Sequence, residues 1–359
     1  MSALHQALQK AAQRINPDEY IPVVAYDDEN GLFLTDDGYI GVCYWGDPVN
    51  GADDTTAEML KGAFSAALPE GSFVQLSIIG MPDVDIQIGK YRQRREMGLS
   101  IISDDSTRMM LDAYYNRRAD FMSESAKTSN LPSIGTKIHD RRVVLSIKSP
   151  YKGVTPSLSE MDALAETGSK LAESLQTFGL FLRRMNAAEY LELAFRLTHP
   201  FEDRKTDGVR EDQALKQQVF LPGESIETKK DELVFNDETH VQMLSVGRWP
   251  KQNALSLMAF MIGDPLGANN QIKMPYHISL TLHYPNQYGK TTALKQKAGM
   301  INYQAFGPML RFVPKLAFKK QGMDVLVNAI EQGATVVEAS LTMSVYSKER
   351  EECTRQISS

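Results

Sequence analysis

The chain has 359 residues, more than the roughly 250 to 300 at which a single hydrophobic core stops growing, so two lobes are expected. Hydrophobic residues at 42% and charged residues at 23% exclude wholesale disorder, and a net charge of -6 excludes a surface built throughout for nucleic-acid phosphates. Two cysteines far apart in the chain, Cys43 and Cys353, exclude a zinc ribbon and argue against a disulfide framework.

The N-terminus, MSALHQALQKAAQRINPDEY, lacks the apolar core of a signal peptide and reads as an amphipathic helix ending before Pro17. GLFLTDDGYIGVCYW follows as two strands around an Asp37-Gly38 turn. TTAEMLKGAFSAAL has its apolar residues at helical spacing, and SFVQLSIIG is a buried strand. After the basic stretch KYRQRREMGLS, DDSTRMMLDAYYNRRADFMSESAK is a long helix and RRVVLSIKSP a strand. Ser157 with Glu160 three residues on opens another helix with a capping box. LFLRRM is a short strand, and AAEYLELAFRLTHP a helix closed by Pro200.

Residues 202 to 218 have almost no apolar content and mark a division near 210, giving lobes of 1–210 and 211–359. Beyond it QVFLP, HVQMLSVGRWP and YHISLTLHY read as strands, ALSLMAFMIG as a helix or strand, and Thr291 to Phe306 as a helix. VNAIEQGATVVEASLTMSVYS gives a helix end and an alternating strand, with Val337, Ala339, Leu341, Met343 and Val345 on one face. Strands and helices are interspersed without doubly wound alternation, so the expected class is α+β, with mixed, mainly antiparallel sheet packed with helices. No fixed-period repeat is visible. The longest apolar run, ALSLMAFMIG, is about half the length of a membrane-spanning helix, and the expected location is the cytoplasm.

Chemistry is harder to find. Gly289-Lys290-Thr291 imitates the end of a phosphate-binding loop between a strand and a helix, but Tyr284 and Pro285 stand where the loop needs its first glycine and free amides. The expected reading is a turn at Gly289, with Thr291 or Thr292 capping the helix. His277 and His283, six apart on one strand face, are separated by roughly 20 Å and cannot share a metal. His5, His139, His199 and His240 form no ligand spacing and suit surface or capping roles. Asp264, between Gly263 and Pro265, reads as a turn residue, not a Walker B carboxylate. Lys90, Arg92, Arg94 and Arg95 could meet phosphate or lipid headgroups, or form a solvated polar face. No catalytic, cofactor-binding or metal-ligating residue is assigned.

The opening block YDDENGLFLTDDGYIGVCYWGDPVNGADDTTAEMLKGAFSAALPEGS resembles the start of the TraC-type ATPases of conjugative type IV secretion, relatives of the VirB-type motor. The resemblance falls on Tyr26, Asn30 to Phe33, Pro48, Gly51, Ala52, Leu68, Pro69 and Gly71, and continues through DAYYNRRADF, RRVVLSIKSP and YHISLTLHYPNQ. It implies the N-terminal region of such a motor, ending before a C-terminal domain in which ATP and Mg²⁺ would be bound. The implied role is docking at the cytoplasmic face of the inner membrane, for pilus biogenesis and DNA or protein transfer. Implied partners are TraL-type inner-membrane subunits, other secretion ATPases and further copies of the motor. The competing expectations are a single-stranded-DNA-binding module using Lys90, Arg92, Arg94 and Arg95, and an irregular small ATPase using Lys290.

Overall fold

The computed structural model describes residues 14–49, 60, 64, 68–128, 137–202, 208–247, 249, 272–305 and 314–358. Its strands are β1 (Arg14–Ile15), β2 (Val23–Asp27), β3 (Leu32–Thr35), β4 (Tyr39–Gly46), β5 (Phe73–Met81), β6 (Asp140–Pro150) and β7 (Arg183–Arg184), then β8 (Ile226–Thr228), β9 (Leu233–Phe235), β10 (Thr239–Ser245), β11 (Tyr276–His283) and β12 (Glu338–Ser347). The helices are α1 (Pro17–Tyr20), α2 (Asp85–Leu99), α3 (Asp105–Lys127), α4 (Leu158–Gln176), α5 (Ala187–Thr198), α6 (Gln287–Gln304), α7 (Pro314–Glu331) and α8 (Arg350–Ser358). All twelve strands lie in one sheet, ordered β1-β8-β9-β10-β12-β11-β5-β6-β4-β3-β2 with β7 beside β4. Neighbours on the central path β10-β12-β11-β5-β6-β4 are antiparallel, and the α+β class holds.

The strand order reads the same in both directions from the junction of β5 with β11. Outward from β5 come β6, β4, β3 and β2; outward from β11 come β12, β10, β9 and β8. A helix pair, α2–α3 or α6–α7, joins the two inner strands of each half, and one helix, α4 or α8, follows each second inner strand. The register keeps the halves in phase: Leu76, Ser77 and Ile78 lie opposite Leu280, Ser279 and Ile278. With Ser77 paired to Val144 and Ser279 to Thr342, the stretch Leu145-Ser146-Ile147-Lys148-Ser149 takes the place of Met343-Ser344-Val345-Tyr346-Ser347. The molecule is thus pseudo-twofold about the β5–β11 seam. The halves share one sheet through the seam and also interleave: β1 pairs with β8, and Ile21 and Val23 belong to one core cluster with Leu215, Val219, Ile226 and Phe235.

Alternation along the strands builds a core on each face. On β6, Val143, Leu145 and Ile147 pack with Val42, Tyr44, Leu164, Leu171 and Leu175 under α4, whereas Val144 faces the cluster around α5. Helix α4 approaches closely because Gly168 has no side chain: a Cβ there would lie 2.8 Å from Val42 Cγ1 and 2.9 Å from the Tyr44 hydroxyl. Its start is the expected capping box. The Glu160 amide donates to Ser157 Oγ (3.3 Å), and the Ser157 amide donates back to Glu160 Oε2 (2.9 Å). Ser157→Ala is expected to cost about 1 kcal/mol of stability, read as a lower urea midpoint. The donors at Ser157 and Lys152 hold the Glu160 carboxyl down at about 2. Its contribution is therefore present above the ordinary carboxylate range and lost as the pH falls from there towards 2.

Several expectations need correction. Arg14 and Ile15 are not helical but pair with Glu227 and Ile226 of β8; residues 1–13 lie outside the described part. QVFLP is no strand. It follows a 3₁₀ turn at Leu215–Gln218, and Val219 and Phe220 are buried by irregular backbone, because an apolar run bounded by proline fits a plug as well as a strand. Helix α6 starts earlier than expected, and its cap is Asn286, whose Oδ1 accepts from the Gly289 amide; Thr291 and Thr292 lie inside the helix. ALSLMAFMIG with Asp264, and most of TTAEMLKGAFSAAL, fall outside the described residues.

Candidate docking surfaces

The two helix pairs leave the sheet in opposite directions. Pair α2–α3 is inserted where Met81 of β5 meets Asp140 of β6. Pair α6–α7 is inserted where His283 of β11 meets Glu338 of β12, beside Phe73 at the other end of β5. Neither pair buries much of itself. On α2 only Ile88 and Leu99 are buried, on α3 Ala119, Ser125 and Ala126, and on α6 only Ala298. Large apolar side chains face outward instead: Met97, Met109, Met110, Tyr114 and Phe121 on the first pair, Tyr288, Met300, Tyr303, Phe318 and Val325 on the second. Exposed large apolar side chains on paired helices make both pairs candidate interaction surfaces.

The basic cluster of the sequence lies on α2, and half of it is used within the pair. Arg92 Nη2 lies 3.2 Å from Asp120 Oδ1 on α3. The Arg95 guanidinium sits over the Tyr91 and Tyr115 rings at 5.2 and 5.3 Å, so it staples α2 to α3 by cation–π contact. Lys90 and Arg94 are exposed.

At the root of α2–α3 a cleft of about 420 Å³ is lined by Asp83, Asp85, Lys127, Lys137, His139 and Lys348, among others. Burial, with Arg141 and Lys137 nearby, pushes His139 down to about 4. His277, with Nε2 3.0 Å from Ser77 Oγ, is pushed down to about 4 by burial alone. Between the ordinary imidazole value and about 4, the unfolded chain takes up protons that the folded one refuses. Stability is therefore expected to fall from pH 7 to pH 5, by on the order of 1 to 2 kcal/mol per histidine. Urea midpoints at the two pH values measure it, and His277→Gln should flatten the difference.

The Gly289-Lys290-Thr291 triplet forms no phosphate loop. It lies in the first turn of α6, with the Lys290 amide donating to the Asn286 carbonyl (2.9 Å) and its ammonium paired with Glu338. His283 Nδ1 approaches the other Glu338 oxygen (3.1 Å), six residues along β11 from His277. His199 is buried and caps α5, and His139 is half-buried with its Nε2 shielded from solvent. Among the described residues one group has metal-ligand character: His199, Glu202 and Glu224, with ligand atoms within 4.8 Å. His199 Nε2 is already 3.1 Å from Glu224 Oε2, and its ring stacks on Phe195. Both cysteines are free, and burial pushes Cys43 up to about 12 and Cys353 up to about 11.

No described helix is long and apolar enough to cross a membrane. The family model of the TraC protein matches residues 18–358. The chain belongs to that family. A comparison with individual curated proteins finds no match. The family match covers both pseudo-symmetric halves, so this TraC-family chain of conjugative type IV secretion carries the two helix pairs inside the family region.

Proposed function

We propose that this TraC-family chain is a docking and assembly unit, joining a secretion motor to the inner-membrane complex for pilus biogenesis and substrate transfer. The observation that carries the reading is the pair of thinly buried helical arms at opposite ends of one sheet, each with large apolar side chains outward. Such arms let one body bridge two partners. The reading assigns no catalysis here; ATP and Mg²⁺ belong to a motor domain, and Lys290 is engaged by Glu338. A single-stranded-DNA site on α2 is disfavoured because Arg92 and Arg95 are spent on Asp120 and the tyrosines.

The α2–α3 arm suits a protein partner, because its cations are mostly arginine, interleaved with Asp104, Asp105, Asp112 and Asp120. Met109→Asp with Met110→Asp is expected to abolish capture by TraL-type inner-membrane subunits without moving the thermal midpoint. Equal capture by parent and variant would remove this arm from the interface, and no capture by the parent would end the docking reading.

A further inference from the structure

We propose that the α6–α7 pair seats the chain on an anionic phospholipid surface. The inference extends the docking reading but needs no protein partner. Its first support is charge. The described cations of the pair are all lysines, Lys290, Lys295, Lys297, Lys319 and Lys320, against Asp324 and Glu331, in a chain whose net charge is -6. Lys290 pairs with Glu338 and Lys295 with Glu331, which leaves Lys297, Lys319 and Lys320 outside the ion pairs formed among the described residues.

Placement is the second support. Gln287 clamps the base of the pair, its Nε2 donating to the Val336 carbonyl and its Oε1 accepting from the Val336 amide, both at 2.9 Å. Met300 and Tyr303 lie near the end of α6, and Phe318 near the start of α7, so by connectivity all three stand at the end away from the sheet. They are 65%, 88% and 62% exposed. Lys297, Met300 and Tyr303 follow at i, i+3 and i+6 and share a helix face, and Lys319 adjoins Phe318.

Lysine beside exposed apolar and aromatic side chains is the pattern of an interfacial contact. The apolar groups enter the headgroup boundary, the flexible lysine stems snorkel, and each ammonium is drawn to lipid phosphate. The α2–α3 arm lacks this pattern, since acidic residues interleave its cations. Because it leaves the opposite end of the sheet, it stays clear of any surface that α6–α7 touches.

The test uses the full chain alone with two kinds of vesicle, pure phosphatidylcholine and phosphatidylcholine mixed with phosphatidylglycerol, read by co-sedimentation. Binding to the mixed vesicles only is expected, with a loss on the order of 100-fold in partitioning for Lys297→Glu, Lys319→Glu and Lys320→Glu together, at about 5-fold per lysine. Met300→Ser with Tyr303→Ser should weaken binding while leaving the charge intact. Lys297, Met300, Tyr303 and Lys319 are exposed and Lys320 is half-buried, so unchanged thermal midpoints are the control for folding. Absent binding, equal binding to both vesicles, or full retention by the triple variant would each overturn the proposal. A solution mass that falls to the monomer in the triple variant, without any lipid dependence, would give this face to a second copy instead. None of these outcomes depends on capture of inner-membrane subunits.

Discussion

Replacing Arg184 by alanine is expected to lower the unfolding free energy by about 3 kcal/mol, the range for breaking a multiply bonded, partly buried charge. Arg184 extends from β7 into a space shared by three elements. Its Nη1 donates to the Asn30 carbonyl in the β2–β3 turn (2.8 Å), and its Nη2 to Ser169 Oγ (3.0 Å), the Tyr44 hydroxyl (3.2 Å) and the Ala165 carbonyl (3.3 Å). Gly31 makes room for it: at φ +64 a Cβ would come within 2.8 Å of Arg184 Cδ. The alanine variant removes the donor shared by the turn, Tyr44 and α4, with only the Ala165 carbonyl keeping Ser169 Oγ as a donor, and opens a void beneath the turn. Urea unfolding measures the loss. Arg184→Lys should recover only part of it, because one ammonium cannot reach both the turn and α4 as the planar guanidinium does. Full stability in Arg184→Ala would show that the network is replaced by water at no cost.

Gly80→Ala is expected to cost about 2 to 3 kcal/mol through overpacking at the seam between the halves. A Cβ at Gly80 would sit 2.4 Å from Tyr276 Cε1 and 2.6 Å from Cζ. Tyr276 is fully buried and opposes Gly80 directly in the β5–β11 register, so its ring cannot swing out without opening the pairing. The loss should appear in the unfolding midpoint. If the pair of halves unfolds as one unit, the transition should also stay single, and two transitions in the variant would show that the seam holds together separable bodies. Tyr276→Leu in the Gly80→Ala background should restore part of the loss by removing the clash.

The parts of the fold that were legible in sequence are those in which a short-range rule and a tertiary demand coincide. The Asp37-Gly38 turn, the apolar strands β5 and β6 and the Ser157–Glu160 box each combine a local signal with a tertiary demand, and each is found. Asn286 was missed as a cap because Asn, Thr and Gly near one helix start compete, and only the placement of the backbone decides which oxygen meets the free amide. The pseudo-twofold was not legible. A strand needs only alternate apolar positions, so VVLSIKS and LTMSVYS fill equivalent places with little identity. The candidate docking arms were half legible: α3, α6 and the end of α7 can be read as helices and the α2 segment as basic, but not the ends of the sheet from which the arms leave. That direction is set by which strands pair, and no local window contains it.

The position of β1 fixes the curvature of the whole sheet. The path across it has eleven strands, with β1 at one edge and β2 at the other. Laid flat at ~4.8 Å per strand, those edges would stand about 48 Å apart. The chain from Ile15 to Val23 spans at most about 28 Å. The sheet must therefore curl until its rims face each other across α5. Tyr20 meets Phe235 edge-on at 5.5 Å, and Lys216 reaches Asp36 at 2.7 Å. Curling serves solubility as well as packing. The rims of an open sheet present unpaired amides and carbonyls on which foreign strands can nucleate, and turning them towards one another makes this molecule resistant to growing into a stack.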